Sequence, residues 1–139
     1  MTLLGATAVE DRLQDNVPEV IHDFQRAQIK VWMLTGDKFE TAKNIGMSCK
    51  LIQKDDTLYE LRKKKDVAEL CSQPGIERNE QLMREKKRRV VIVQNEALAT
   101  ISSNVEFRQN FIQISKTCEA VICCRVSPKQ KADVVNMIK

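Results

Sequence analysis

The run AVICCRVSP, residues Ala120–Pro128, decides the fold of this chain. Residues Ala120–Cys124 are apolar at every position, which is typical of a strand in a parallel sheet that is covered on both faces. Ser127 followed by Pro128 is a typical helix start, with a hydroxyl as the N-cap and proline in the first turn. The run therefore predicts a strand followed directly by a helix, which is the repeating unit of α/β folds.

The same alternation of strands and helices continues towards the N-terminus. Further strands are predicted over Thr2–Ala8, Ile29–Leu34 and Val90–Val93. The helices between and after the strands are expected to bury one apolar face each, formed by Val17, Val20, Ile21, Phe24 and Ala27, by Ala42, Ile45 and Cys49, and by Phe107, Phe111, Ile114 and Cys118. Asp15 or Asn16 is expected to cap the first helix. The pattern predicts an α/β fold with three layers and a doubly wound, mostly parallel sheet.

The composition is that of one ordinary domain. The chain has 139 residues and is 42% hydrophobic, so it can bury a core. Aromatic residues make up only 4%, which argues against a surface on which nucleic-acid bases stack. No apolar run approaches the roughly 18 to 20 residues needed to cross a bilayer. The N-terminal residues lack the basic start of a signal peptide.

The five cysteines are expected to be buried, reduced thiols. Their number is odd, and their spacing suits neither a zinc site nor a Cys-x-x-Cys pair. No metal ligands are predicted in this chain.

Residues 53–89 interrupt the alternation and carry most of the net charge of +4. The segment contains the basic runs Lys63–Lys65 and Lys86–Arg89, and a solvated, partly disordered insertion is expected there. A nuclear-targeting signal or a patch for anionic membranes is an alternative for these runs. Nucleic-acid binding through them is a further hypothesis, with steeply salt-dependent affinity as its signature.

The loop Thr35-Gly36-Asp37-Lys38 is the first candidate site, because it lies between a predicted buried strand and a helix. Ligands of open α/β sheets bind outside the carboxyl ends of the strands. Gly36 permits a tight turn and close approach of a phosphate, and Thr35 adds a hydroxyl donor. The helix start adds free N–H groups. Together these features predict a phosphate-binding loop.

The second candidate follows the strand Ala120–Cys124. Arg125 lies at the strand end, and Lys131 lies about one turn into the next helix. A cation at a helix N-terminus opposes the helix dipole, so an anion bound between them would relieve an unfavourable placement. We expect Thr35 and Lys131 to converge on one anion. The polar connection Glu10–Asp15 is a third candidate for the same edge, as a ligand contact, a hinge or a helix cap.

These places resemble the cytosolic phosphorylation domain of P-type ATPases, most closely the phospholipid-transporting (flippase) class. The stretches that carry the resemblance are Leu3–Asp15, Trp32–Lys38 with Glu40–Ala42, and Val121–Pro128 with Gln130–Ala132. The resemblance covers residues 1–52 and 90–139. The Glu-Asp-x-Leu-Gln-Asp and Ile-Cys-Cys-Arg-Val-Ser-Pro strings favour flippases over ion pumps.

The resemblance implies a haloacid-dehalogenase-like (Rossmannoid) fold, present incompletely. It assigns Thr35 and Lys131 to holding the transferring phosphoryl group, with Gly36 in the same loop. Asp37 would organise the nucleotide end, and Arg125 would approach ATP. Asp11 would belong to the hinge towards the nucleotide-binding domain.

The resemblance also implies what the whole protein does. The parent would use ATP and Mg²⁺ to phosphorylate itself and move a phospholipid between leaflets. Its nucleotide-binding, actuator and transmembrane domains would be partners in the same polypeptide. This segment would be the part of the phosphorylation domain at residues 1–139, with a charged insertion at 53–89, on the cytosolic face of the membrane.

The sequence departs from the family pattern in informative ways. The Asp-Lys-Thr-Gly-Thr motif that carries the phosphorylated Asp is absent, as is the magnesium-binding Gly-Asp-Gly-x-Asn-Asp motif. We therefore expect the isolated chain to be a soluble monomer that does not hydrolyse ATP and holds no cofactor tightly. The family usually has glycine at the positions of Asn16 and Gln28, and often Asp-Gly at Gln94 and Asn95.

A different class of function is compatible with the α/β pattern alone. The chain would then be a non-catalytic binding module, receiver-like or flavodoxin-like, that works through partner proteins. That alternative does not explain why Thr-Gly-Asp-Lys and Ser-Pro-x-x-Lys lie at the same predicted sheet edge. A phosphate or vanadate titration observed at Thr35 and Lys131 separates the two hypotheses.

Overall fold

The computed structural model describes residues 4–8, 12–71 and 87–139, and strands alternate with helices through most of them. The strands are β1 (Val31–Leu34), β2 (Thr57–Leu61), β3 (Arg89–Gln94) and β4 (Ala120–Cys124). The helices are α1 (Val17–Arg26), α2 (Phe39–Ser48), α3 (Lys64–Cys71), α4 (Asn95–Ser103), α5 (Val105–Thr117) and α6 (Pro128–Ile138).

The four strands form one parallel sheet in the order β1-β4-β3-β2. Strand β4 is internal, so Cys123 is paired in register with Leu34 on one side and with Val93 on the other. All residues of β4 are buried, as predicted from its unbroken apolar run. The carboxyl ends of β1 and β4 therefore lie side by side at one edge of the sheet.

Helices cover both faces of the sheet and create two hydrophobic cores. On one face Val91 and Cys123 pack with residues of α3, α4, α5 and α6, among them Phe111. On the other face Ile92 and Ile122 pack with residues of α2, and α1 adds partly buried residues. Alternate residues of each strand serve opposite cores because side chains alternate across a sheet. The predicted three-layer, doubly wound α/β fold is confirmed.

The prediction of buried thiols is also confirmed. None of the five cysteines forms a disulfide, all five are buried, and Cys123 and Cys124 face opposite cores. Burial raises the pKa of Cys118 to about 11 and that of Cys123 to about 12. Because a thiolate is the reactive form, these cysteines are packing residues rather than nucleophiles.

The expectation that residues 53–89 form a solvated insertion is wrong for Thr57–Cys71. This stretch contains β2, which pairs with β3 along its whole length, and α3, which packs into the core. Two residues of the basic run Lys86–Arg89 are not part of a free patch either, and Lys86 lies outside the described residues, as do residues 72–85 of the predicted insertion. Arg88 pairs with the buried Asp56 carboxylate, and Arg89 is buried at the start of β3.

The predicted N-terminal strand is wrong over the described residues 4–8, and Thr2 and Leu3 lie outside them. Residues 4–8 are irregular and exposed, and the Leu4 side chain is 97% accessible. An apolar run needs a partner strand to become a buried strand, and these residues pair with none of the four described strands. The predicted hinge residue Asp11 also lies outside the described residues.

The predicted face of α1 is only half buried. Val17 and Ile21 pack against the core, whereas Val20 and Phe24 are 48% and 45% exposed. Ala27 lies beyond the end of the helix and is exposed. Helix α1 packs beside β1, an edge strand of the described sheet, and part of its apolar face stays exposed there.

The predicted side-chain cap of α1 is also wrong. Asn16 is the N-cap residue, but no side chain makes a capping hydrogen bond, and its backbone is left-handed with φ of 64°. Gln28 is left-handed as well, with φ of 60°. Glycine adopts this conformation without the steric cost that a Cβ brings, which explains the glycines expected at both positions from the family pattern.

Candidate phosphate-binding site

Two loops meet where β1 and β4 end, and backbone hydrogen bonds join them. The Thr35 N–H donates to the Cys123 carbonyl at 2.9 Å, which continues the sheet by one residue. The Val126 N–H then donates to the Thr35 carbonyl at 3.1 Å, and the Arg125 N–H donates to the Asp37 carbonyl at 2.9 Å. The structure thus brings together Thr35, Asp37 and Arg125, three of the predicted site residues.

The Thr35 side chain folds back onto its own loop. Its hydroxyl donates to Asp37 Oδ2 at 2.5 Å and accepts from the Asp37 N–H at 3.1 Å. Thr35 is half-buried, whereas Asp37 is exposed. An anion that uses the Thr35 hydroxyl as a donor must therefore displace the Asp37 carboxylate from it.

Gly36 is not required by the backbone conformation of this loop. Its φ lies outside the left-handed region, and a Cβ built on it would have no atom within 4 Å. A glycine is therefore not needed here for a left-handed turn, and the close approach of a phosphate to Gly36 stays a prediction. The open space above it does leave room for a ligand to approach the backbone.

Helix α2 begins directly after the loop. Its N-cap residue Lys38 has no side-chain capping hydrogen bond, so the N-cap side chain does not bind the first N–H groups of the helix. The positive end of the helix dipole lies at the same point. The predicted helix-start contribution to anion binding is compatible with this geometry.

Lys131 lies on the first turn of α6, where the predicted helix start is confirmed. The Ser127 hydroxyl accepts from the Gln130 N–H at 3.3 Å, and Gln130 Oε1 accepts from the Ser127 N–H at 2.9 Å. Pro128 occupies the first turn. The Lys131 N–H donates to the Ser127 carbonyl at 3.0 Å. Lys131 is half-buried and lies about one helical turn beyond Val126, the residue whose N–H donates to Thr35.

Arg125 has an unusual backbone for its residue type. Its φ is 54°, in the left-handed region, and it is exposed at the end of β4. Such outliers persist where surrounding structure fixes them, here through the hydrogen bond to Asp37. Burial raises the pKa of the neighbouring Cys124 thiol, while the positive charge of Arg125 opposes that rise.

Arg62 is a residue near this edge that sequence reasoning missed. It follows β2, its guanidinium carbon lies 3.7 Å from the centroid of the Phe39 ring, and Nη2 lies 2.9 Å from Glu40 Oε1. Nη2 is also 3.1 Å from Glu60 Oε2, and Lys43 Nζ is 2.7 Å from Glu60 Oε1. No local pattern reveals the contacts of Arg62 with Phe39 and Glu40, because these residues are far from Arg62 in the sequence.

Hydrogen bonds shift the titration of this cluster. The Lys43 hydrogen bond lowers the pKa of Glu60, with Arg62 adding to the effect and burial opposing it. The hydrogen bond to Glu40, followed by that to Glu60, raises the pKa of Arg62. Both shifts favour the charged forms of Glu60 and Arg62.

The described part of the chain contains no group of three or more His, Cys, Asp or Glu side chains placed to hold a metal ion. Asp37 is a carboxylate at the candidate site, but the described residues around it do not make a complete magnesium site. Within the same residues, none of the helices combines the length and apolar character that a membrane span requires.

The fold and the position of the two loops define the class. This is a Rossmann-like α/β domain whose all-parallel sheet with flanking helices is consistent with the haloacid-dehalogenase type, and ligands of such sheets are expected outside the carboxyl ends of the strands. No protein-family profile matches the chain.

Known proteins then identify its relatives. The chain is 45% identical over 143 residues to phospholipid-transporting ATPase C887.12 of Schizosaccharomyces pombe. It is 43% and 40% identical to phospholipid-transporting ATPases DRS2 and DNF2 of Saccharomyces cerevisiae, over 142 and 164 residues. Each match covers 100% of this chain but only 10% or 11% of the relative. The homologues are thus phospholipid-transporting P-type ATPases, and the chain corresponds to a segment of them, which confirms the resemblance.

Proposed function

We propose that this chain is part of the phosphorylation domain of an ATP-driven phospholipid transporter, where it holds the phosphoryl group during transfer. The observation that supports the proposal is the hydrogen-bonded pairing of the Thr35–Asp37 loop with Arg125 and Val126 at the carboxyl edge of the sheet. Homology over the full chain to phospholipid-transporting ATPases supports the same function.

Each loop residue has a separate role in this proposal. The Thr35 hydroxyl turns from Asp37 to donate to a phosphoryl oxygen, and the Lys131 ammonium neutralises the charge that gathers on the phosphoryl group. Exposed Gly36 allows the phosphoryl group to approach the backbone. Once Thr35 no longer binds it, the Asp37 carboxylate is repelled by the phosphoryl oxygens. We therefore assign Asp37 to the nucleotide end of the site. Arg125 is assigned to the approach of ATP.

The rest of the machinery belongs to other parts of the polypeptide. ATP supplies the phosphoryl group and Mg²⁺ would neutralise it, but the described residues do not form a magnesium site. The phosphorylated Asp motif is absent from this sequence. We propose that nucleotide-binding, actuator and transmembrane domains of the same polypeptide supply these functions and the phospholipid path, with this segment on the cytosolic face.

The experiment is a titration of the 139-residue chain with inorganic phosphate and with orthovanadate, followed at each backbone amide by NMR. Both anions should shift the amides of Thr35, Gly36 and Lys131. Lys131→Ala should weaken binding by about tenfold, as expected for loss of a hydrogen bond to a charged group. Lys129→Ala is the matched control, because Lys129 is an exposed lysine on the same helical turn, and it should leave the affinity within about twofold.

Two outcomes contradict the proposal. One is a chain whose Thr35 and Lys131 amides ignore both anions at saturating concentration, as a partner-binding module would. The other is equal binding by Lys131→Ala and the parent chain.

The isolated chain is expected to show no ATP hydrolysis, because it lacks the phosphorylated Asp. A phosphate-release assay on the pure chain tests this. Turnover that disappears in Lys131→Ala would show a complete active site within these residues and would refute the assignment of the other groups to absent domains.

A further inference from the structure

Arg62 contacts the first turn of α2, the helix that begins directly after the candidate loop. Its guanidinium stacks on the ring of Phe39, which is buried, and forms an ion pair with Glu40. The planar guanidinium can stack and donate at the same time, which a lysine cannot do. Arg62, at the end of β2, therefore contacts two successive residues of α2, Phe39 and Glu40.

The loop before Phe39 is thereby anchored at both ends. At its first end, the backbone of Thr35 and Asp37 is bonded to Cys123, Arg125 and Val126. At its second end, neither α2 nor its N-cap Lys38 offers a side-chain cap that could hold the helix start. The contacts of Arg62 with Phe39 and Glu40 supply an anchor at that uncapped end.

Arg62 also compensates negative charge beside the candidate anion site. Glu40 is an exposed carboxylate in the first turn of α2 and would repel an anion bound at the helix start. The second carboxylate, Glu60, is shared between Arg62 and Lys43 at 3.1 Å and 2.7 Å. The two cations and two carboxylates leave the cluster neutral, so the carboxylates do not cancel the attraction of the helix start for an anion.

We propose that Arg62 is a positioning residue that orders residues 36–40 and shields the anion site from Glu40. The part of this proposal that concerns the anion rests on the proposed function, whereas the order of the loop is measurable without any ligand. Arg62 touches no reacting group, and its effect passes through Phe39 and Glu40.

The test compares Arg62→Ala, Arg62→Lys and a matched control in the 139-residue chain. The control is Lys30→Ala, which removes a comparably exposed ion pair with Glu119 at 3.7 Å, at the opposite end of β1. Amide hydrogen exchange is measured from residue 36 to residue 40 without ligand, and phosphate affinity is measured by NMR titration.

Arg62→Ala should speed exchange at these amides by about three- to sixfold and weaken phosphate binding by a similar factor, as expected for loss of a cation–π contact and exposed ion pairs. Arg62→Lys should restore most of the phosphate affinity, because it keeps the charge opposite Glu40. It should restore less of the loop order, because the stacking is lost. If Arg62 had a merely structural role, Arg62→Lys would restore the phosphate affinity and the loop order to the same degree. Lys30→Ala should change neither.

Equal exchange at residues 36–40 in Arg62→Ala and Lys30→Ala would refute the inference. If Arg62→Ala does not fold, Phe39→Leu decides instead, because it keeps an apolar side chain in the core and removes only the ring under the guanidinium. Faster exchange in Phe39→Leu supports the anchor, and unchanged exchange refutes it. If phosphate shifts no amide of the parent chain, the proposed function fails, while the exchange comparison still decides the role of Arg62.

Discussion

Replacing Arg88 by alanine should destabilise this chain far more than replacing its neighbour Lys87. Arg88 Nε donates to Asp56 Oδ1 at 2.9 Å, and Asp56 Oδ2 accepts from the Gln53 N–H at 2.8 Å. The Asp56 side chain is 1% exposed, whereas that of Arg88 is 32% exposed. Arg88→Ala therefore removes the ion-pair partner of a buried carboxylate that keeps the Gln53 N–H as a donor.

The expected magnitude follows from that burial. Removing one partner of a fully buried ion pair costs about 3 to 5 kcal/mol. Water can enter through the exposed third of the Arg88 site, so we expect a smaller cost, about 2 to 3 kcal/mol. For a domain of this size the cost corresponds to a fall in Tm of roughly 6 to 12 °C.

Urea unfolding followed by circular dichroism measures the free energy of unfolding of both variants. Lys87→Ala should stay within about 0.5 kcal/mol of the parent, because Lys87 is exposed. Adding Asp56→Asn to Arg88→Ala should recover part of the loss, since a neutral amide costs less to bury unpaired than a carboxylate does.

Equal stability of Arg88→Ala and Lys87→Ala would refute this reasoning. It would mean that the whole run Lys86–Arg89 is solvated, as its composition suggests. A double variant less stable than Arg88→Ala would show that the unpaired charge of Asp56 is not the source of the cost.

Three further predictions concern backbone strain, packing and titration. Gln28→Gly should raise the free energy of unfolding by about 0.5 to 1 kcal/mol in the same urea assay, because φ at this position is 60°; an unchanged or lower value contradicts the strain. Gly46→Val should lower the free energy of unfolding by about 2 kcal/mol, because even a Cβ would lie 2.8 Å from Ile122 Cδ1 in a full core. An unchanged free energy of unfolding would mean that the core side chains rearrange to make room. Lys43 and Arg62 lower the pKa of Glu60 from its ordinary value of 4.5. The stability that these ion pairs contribute is therefore complete above pH 4.5 and is lost as the pH falls through the lower pKa of the folded state. Glu60→Gln should therefore flatten the stability profile below about pH 4.5, and an identical profile in the variant would exclude Glu60 as its source.

Elements with a strong local pattern were predicted well from the sequence. Val90–Val93 within β3 and the whole of β4 are unbroken apolar runs, and the start of α6 carries a serine cap with proline in the first turn. These features depend on residues within one or two turns of each other, so a short window of sequence contains the physical cause.

Elements whose stability comes from distant partners were predicted poorly. The strand β2 has four half-buried residues and lies among charges, so its composition resembles a solvated loop. Its parallel pairing with β3 and the ion pair between Asp56 and Arg88 make it part of the fold. The apolar residues 4–8 show the converse, because a strand-like composition without a pairing strand stays irregular and exposed.

For the candidate site, the sequence alone determined the residue types and their places after two strands, Thr35 to Asp37 after β1 and Arg125 between β4 and α6. Only the tertiary structure decided that β1 and β4 are neighbours, so that the two loops bond to each other, and that Arg62 reaches the start of α2. The physical reason is that strand order is selected by burying both faces of the whole sheet at once. The free energy of this burial is shared among residues far apart in the chain, so no local stretch of sequence determines the strand order.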